Sequence, residues 1–223
     1  MIQKPPTFAE AIQRTRRRLE ETLGQGCAID IYHALAPELV KTILYVDSQK
    51  FREELQYKQE EVLIHGSLRG FIHILAHCGD DSLGLAYGYD EGENGFFLDT
   101  LASIVEGKGI GSILATLIVI HALETNHSNV TLYTEERDEK GRRLRRFYEQ
   151  IGFKYLGSKE GKGDVMHMQL DQDEIATLYT KHIVQSANGA PHQDRQDALG
   201  GHHPTPFTHP ASILSTSLTI KCK

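Results

Sequence analysis

The stretch Glu106-Gly107-Lys108-Gly109-Ile110-Gly111-Ser112 decides how the chain folds. Gly95-Phe96-Phe97-Leu98-Asp99-Thr100-Leu101-Ala102-Ser103-Ile104-Val105 precedes it with the composition of a strand. Ile113, Leu114, Leu117, Ile118 and His121 follow it on one helical face. A strand, a glycine-rich turn and a helix in this order aim several backbone N–H groups at one point. The helix N-terminus adds partial positive charge, and the glycines allow close approach, so an anion such as a phosphate is the natural occupant. A tight turn that binds nothing has the same signature. Two nucleotide motifs match incompletely. The P-loop needs Gly-Lys-Ser/Thr, but Gly109 follows Lys108; the dinucleotide fingerprint needs a third glycine where Ser112 stands.

Upstream of the turn, Gly70 to Cys78, Leu83 to Tyr89 and the strand already quoted form an antiparallel meander, separated by Gly79-Asp80-Asp81-Ser82 and by Asp90 to Gly95. His73, His77 and Cys78 suggest a metal site, but same-face residues four apart on a strand are ~13 Å apart, too far to share one ion, so no metal is expected. Cys27 to Ala34 is a first strand. Pro37 opens a helix with Leu39, Val40, Ile43 and Leu44 on its buried side, and a second helical stretch runs from about Ser48 to Tyr57. At the start, Thr7 and Glu10 have capping-box spacing, Phe8, Ile12, Leu19 and Leu23 share a face, and Gly24 ends the helix. Arg14, Arg16, Arg17 and Arg18 on this helix suggest either a partner-binding surface or a solvated face paired with Glu20 and Glu21.

Downstream, Val130 to Thr134 is a short strand, and Gly152 caps the helix that contains Phe147-Tyr148-Glu149-Gln150-Ile151. Phe153 to Leu156 and Asp164 to Leu170 are two further strands, and Ile175, Leu178, Tyr179 and Ile183 mark a closing helix. From Ser186 onward Pro, Gly, His, Gln and Asp dominate. The expected organisation is therefore an amphipathic helix at 1–26, a domain at 27–185 and a flexible, dispensable polar tail at 186–223. The tail histidines His192, His202, His203 and His209 are expected to be solvated rather than metal-bound.

The 223-residue chain is 39% apolar, enough for a core, and has no uninterrupted apolar run long enough to span a bilayer. Its net charge of −6 offers no general attraction to nucleic acid or to an anionic membrane. Three widely spaced cysteines, Cys27, Cys78 and Cys222, argue against a disulfide framework, for inert thiols and for a reducing, cytoplasmic compartment.

Two landmarks in order carry a family resemblance. The turn Gly107-Lys108-Gly109-Ile110-Gly111 resembles the Arg/Gln-x-x-Gly-x-Gly pyrophosphate motif of the GNAT superfamily of acyl-CoA-dependent N-acetyltransferases, and Phe147-Tyr148-Glu149-Gln150-Ile151-Gly152-Phe153 resembles its Phe-Tyr-x-x-x-Gly-Phe segment. The resemblance covers about residues 27–170. It implies an α/β (α+β) fold with a mixed central sheet, flanking helices and an antiparallel meander leading into the strand–glycine turn–helix unit. It also implies acetyl-CoA as co-substrate and an amine-bearing small molecule, peptide or protein as acceptor. By the same resemblance, the backbone of Leu101, Ala102 and Ser103 bonds the acetyl carbonyl and pantetheine arm, Gly107, Lys108, Gly109, Ile110, Gly111 and Ser112 hold the pyrophosphate, and Tyr148 protonates the departing thiolate. Asp99, flanked by Phe97 and Leu101, stands where family members often place the carboxylate that takes the amine proton.

The chain departs from the family pattern at three places. Glu106 replaces the usual Arg or Gln, the link from Leu101 to the glycines is short, and Gly141 stands where an Asn often precedes the tyrosine. Arg142, Arg143 and Arg146 are alternative contacts for CoA phosphates, or a solvated helix face. A GNAT-like acyl-CoA sensor without transferase activity remains the competing reading. A nucleotide-binding regulatory domain is less well supported, since neither nucleotide motif is complete. The acceptor loops fall in the least patterned parts, about residues 35–70 and 157–163.

Overall fold

A computed structural model describes residues 4–138, 141, 143–185 and 219–221. It contains α1 (Phe8–Leu23), β1 (Cys27–Tyr32), α2 (Pro37–Lys50), α3 (Gln59–Gly66), β2 (Ile72–Cys78), β3 (Asp81–Glu91), β4 (Gly95–Ser103), α4 (Ile110–Glu124), β5 (Asn129–Thr134), α5 (Leu144–Ile151), β6 (Lys154–Lys159), β7 (Gly163–Gln169), α6 (Gln172–Tyr179) and β8 (Thr219–Lys221). Eight strands form one mixed sheet, seven of them in the order β1-β2-β3-β4-β5-β7-β6, with β8 off this path beside β4. Among the named strands, β4 and β5 are the single parallel pair, and α4 makes the crossover that such a pair needs. This is the mixed sheet, meander and strand–turn–helix order that the resemblance implies.

The sheet has a core on each face. On one, α4 is buried almost all round between the strands and helices α1 and α6, which explains why nearly every residue from Ile110 to Ala122 is apolar. On the other, Leu39, Val40, Ile43 and Val46 of α2 and Val62 of α3 pack on Leu85, Tyr87 and Ala102. Thr7 caps α1 through the expected capping box, an arrangement that stabilises a helix by about 1 kcal/mol. Gly152, at φ 106°, terminates α5.

Three expectations need correction. The stretch from Ser48 to Tyr57 is not a second helix: α2 runs on to Lys50, a 3-10 turn follows at Glu53–Leu55, and the separate helix is α3. Helix α3 lacks an apolar stripe, since Leu63 and Ile64 face solvent and Val62 is its one buried residue. Cys27 and Cys78 are joined in a disulfide. Antiparallel pairing of β1 with β2 sets them directly opposite each other, with Cα atoms 3.9 Å apart, across a sequence separation of 51. The inference from unpaired thiols to a reducing compartment falls with it. Finally, Arg18 does not lie on a solvated face but is buried, and Arg16 donates to the Ile29 carbonyl at 2.8 and 3.0 Å, while Arg14 does pair with Glu21.

Most of the tail at 186–223 lies outside the described residues. Thr219–Lys221, however, form β8, antiparallel to β4. Among the described residues no helix is long and apolar enough to cross a membrane.

Candidate active site

The site begins where β4 and β5 part. They pair only from Gly95 to Phe97, opposite Asn129 to Thr131. Beyond Phe97 the β5-facing edge of β4 is open to another backbone, and β8 takes that place: Thr100 lies opposite Lys221, Leu101 opposite Ile220, and Ala102 opposite Thr219. The Leu101–Ser103 stretch, to which the family pattern assigns the acyl arm, thus has β3 on one edge and a short strand of the chain's own C-terminal region on the other.

The strand ends by turning sharply at the glycines. Ser103 Oγ donates to the Val105 carbonyl at 2.9 Å, and the Ile104 N–H donates to Leu83 at 2.8 Å. Gly107 and Gly109 have φ of 71° and 73°, the left-handed region in which a side chain is strained. Gly109 is the N-cap of α4 and supplies no side-chain cap, so the first N–H groups of α4 have no carbonyl above them in the helix. Lys108 and both flanking glycines are exposed. The turn therefore has the donors and the clear approach of an anion site.

Helix α5 closes over the turn. A Cβ at Gly111 would stand 3.4 Å from Phe147 Cζ, so the Phe147-Tyr148 segment and the glycine turn meet in space. Tyr148 is fully buried, its ring edge-on to Phe147 and Phe153 at 5.2 and 5.6 Å. Arg143 and Arg146 line a cleft of ≈ 560 Å³ with Glu136, Arg145 and Glu149, while Arg145 is tied to Asp164 at 2.7 and 3.0 Å. Arg142 lies outside the described residues.

Asp99 sits at a break in the β3–β4 ladder. Gly88 pairs with Leu98 and Tyr87 with Thr100, leaving Asp99 as the extra residue of a β-bulge. A bulge re-aims its side chain, and here it turns a carboxylate into the layer beneath α2 and α3. Asp99 is 3% exposed. Its Oδ1 accepts from the Tyr57 hydroxyl at 2.7 Å and from Thr100 at 3.1 Å, and its Oδ2 accepts from Tyr89 at 2.9 Å. His65 Nδ1 stands 3.7 Å from Oδ1 and 3.3 Å from the Tyr87 hydroxyl. Burial, reinforced by the charge of Asp99, holds the Tyr87 phenol well above its usual range, so it stays a neutral hydroxyl.

Tyr57, His65, Tyr87 and Tyr89 were not singled out in the sequence, where they look like unrelated aromatics on separate segments. The rings of Tyr57, Tyr89 and Tyr87 surround His65 at 5.2, 5.5 and 6.0 Å. His65, at 18% side-chain exposure, opens this cluster to solvent.

Of the histidines weighed as metal ligands, His73 is buried with neither ring nitrogen hydrogen-bonded, and His77 is engaged by its neighbours. His73 is fully buried beside Tyr32 and Tyr87, and burial pushes it down to about 3. His77 uses both ring nitrogens, on Asp30 at 3.0 Å and on the Gly79 carbonyl at 2.8 Å, and the Cys78 sulfur is bonded to Cys27. Among the described residues no group of three His, Cys, Asp or Glu is placed to hold a metal.

No family model matches the sequence, and no curated protein does. Solved structures do match. An acetyltransferase of the GNAT family from Staphylococcus aureus superposes with a TM-score of 0.52 at 15% identity, over 65% of this chain and 100% of that one. The aminoglycoside 6'-N-acetyltransferase from Enterococcus faecium gives 0.53 at 17% identity, over 64% and 97%. The ribosomal-protein-S18-alanine N-acetyltransferase from Escherichia coli gives 0.52 at 10% identity, over 64% and 94%. At these identities the likeness is one of architecture, and on it the chain has the GNAT acetyltransferase fold.

Proposed function

We propose that the chain is an acyl-CoA-dependent N-acetyltransferase. The observation that carries this reading is the parting of β4 from β5 beside a helix N-terminus without a side-chain cap: an extended acyl arm can pair, in place of β8, with the edge that β5 leaves at Leu101, Ala102 and Ser103 while its diphosphate meets the turn from Gly107 to Ser112. An amine as acceptor is supported by the names of the neighbours above, which specify an aminoglycoside and a protein alanine.

In this reading the amine nitrogen attacks the acetyl carbonyl carbon, and backbone donors at the end of β4 stabilise the oxyanion. The C–S bond breaks, and the thiolate takes a proton from Tyr148. The proton lost by nitrogen goes to Asp99. Asp99 is too enclosed to meet a bulky acceptor directly, so the proton reaches it through Tyr89 or His65, the more exposed members of its hydrogen-bonded cluster. Residues 27–185 form the catalytic domain, with α1 packed on it.

Donor binding needs the edge that β8 occupies. The C-terminal strand and the acyl arm are therefore alternative partners of β4. The test is a panel of amine classes with acetyl-CoA and detection of free thiol. Thiol release that depends on an amine supports the reading. Binding of acetyl-CoA with no transfer to any amine class would make the chain an acyl-CoA sensor instead.

A further inference from the structure

Helix α1 lies alongside α4 in the opposite sense. The Phe8 N–H donates to Glu124 at the C-terminal end of α4 at 2.7 Å, and Arg18 reaches Gly109 at its N-terminal end. Arg18 is 6% exposed. One arm of its guanidinium, Nη1, donates to the His182 carbonyl at 2.6 Å. The other, Nη2, stands 3.9 Å from the point where a Cβ on Gly109 would be. Among the described residues no carboxylate comes within ion-pair distance of this guanidinium, although Arg14, Arg16, Arg52, Arg69, Arg137 and Arg145 all have one.

A buried charge is costly unless something of opposite sign stands beside it. The charged groups that act on Arg18 from its own helix are of both signs, Arg14 and Glu21, and Glu21 is not close enough to form an ion pair with it. Burial holds its guanidinium below the usual arginine range, with Arg14 adding to the effect, and burial, Lys181 and Arg18 together push His182 down to about 4. The missing partner is an anion, and Nη2 lies beside Gly109, where α4 starts without a side-chain cap.

We propose that Arg18 is a ligand of a diphosphate held at the N-terminus of α4. The inference rests on the acyl-CoA reading and adds to it a cation from an element outside the motif. It also accounts for Glu106: with a guanidinium delivered from α1, the turn does not need its own. Arg18 is fixed in place through Nη1 by the His182 carbonyl, which leaves Nη2 to donate to a phosphate oxygen at the turn.

The test is calorimetric binding of CoA, dephospho-CoA and pantetheine to the full chain and to Arg18→Gln, which keeps a donor for the His182 carbonyl and removes the charge. Arg18→Met, which fills similar volume, repeats the test if the glutamine variant does not fold. The expected result is a loss of about tenfold or more for CoA and dephospho-CoA alike, with pantetheine unchanged. An unchanged CoA affinity in either folded variant overturns the proposal. A loss confined to CoA assigns Arg18 to the 3'-phosphate and overturns the diphosphate assignment, and an equal loss for pantetheine shows a merely structural role. If the unaltered chain binds none of the three, the acyl-CoA reading fails and this inference with it. If it binds CoA while the variants match it, only the role of Arg18 fails.

Discussion

The two sides of β4 are built in opposite ways. The side we assign to the donor is one continuous stretch, from Leu101 through the glycine turn into α4, exposed at Gly107, Lys108 and Gly109 and without a side-chain cap on the helix. The acceptor side is assembled from the segment before α3, from α3 itself, from β3 and from the bulge in β4, and its carboxylate is enclosed by hydroxyls and rings. An anion site needs backbone donors, which a short local sequence can supply. A proton-handling site needs several side chains in a protected place, which only the tertiary fold can bring together.

Substitutions on the two sides should therefore fail differently. The largest effect is expected on the acceptor side. Asp99→Asn keeps the shape and removes the proton affinity, so it should abolish most turnover and the acidic limb of the pH–rate profile. A profile that retains both would exclude Asp99 as the proton's destination. Tyr148→Phe should lower turnover by about 10²-fold while leaving the acetyl-CoA Kd unchanged, because the phenol matters when sulfur gains charge. If affinity fell and turnover held, the tyrosine would be a binding group.

A smaller effect belongs to the donor edge. Proline at 220 removes an N–H and disturbs the pairing of β8 with β4. Ile220→Pro in the full chain should tighten acetyl-CoA binding several-fold, since less of the protein is held with the edge occupied. An unchanged Kd would show that the strand and the donor do not compete.

The smallest effect concerns stability. His73 packs on Tyr87 of the acceptor cluster and titrates at about 3 when folded, against 6.5 when unfolded. As pH falls below 6.5 the unfolded chain takes up a proton that the folded chain refuses, so this contribution to stability is present at neutral pH and declines towards about 3. His73→Phe should flatten the loss of melting temperature between pH 7 and pH 4.5, roughly the window in which the histidine difference is felt before most carboxylates titrate. Equal slopes in the two proteins would refute the effect.

How much of this was legible in the sequence follows from the same contrast. The meander, the crossover helix, the glycine turn and the caps at Thr7 and Gly152 are local patterns, and the fold carries them where expected. Asp99 was marked by the family resemblance and by its place between Phe97 and Leu101. The bulge that aims it leaves no trace in an alternating pattern, and Tyr87 and Tyr89 look like ordinary strand residues until β4 is laid beside them. Helix α3 was missed because it buries so little apolar surface, and with it went His65. The burial of Arg18 was hidden because α1 packs against β1 on one side and α4 on the other, so its charged residues are not all outward. The Cys27–Cys78 pair depends on strand register across 51 residues, which spacing does not reveal.

The measurement that bears most directly on the central claim is the affinity of acetyl-CoA for the turn. Gly109 caps α4 at φ 73°, and valine there would meet backbone strain and place a branched side chain over the first N–H groups of the helix. Calorimetry on the full chain and on folded Gly109→Val should show acetyl-CoA binding to the first and a loss of at least about tenfold in the second, on the scale of charge-assisted hydrogen bonds. Equal affinity in the two folded proteins would contradict the placement of the donor at residues 107–112.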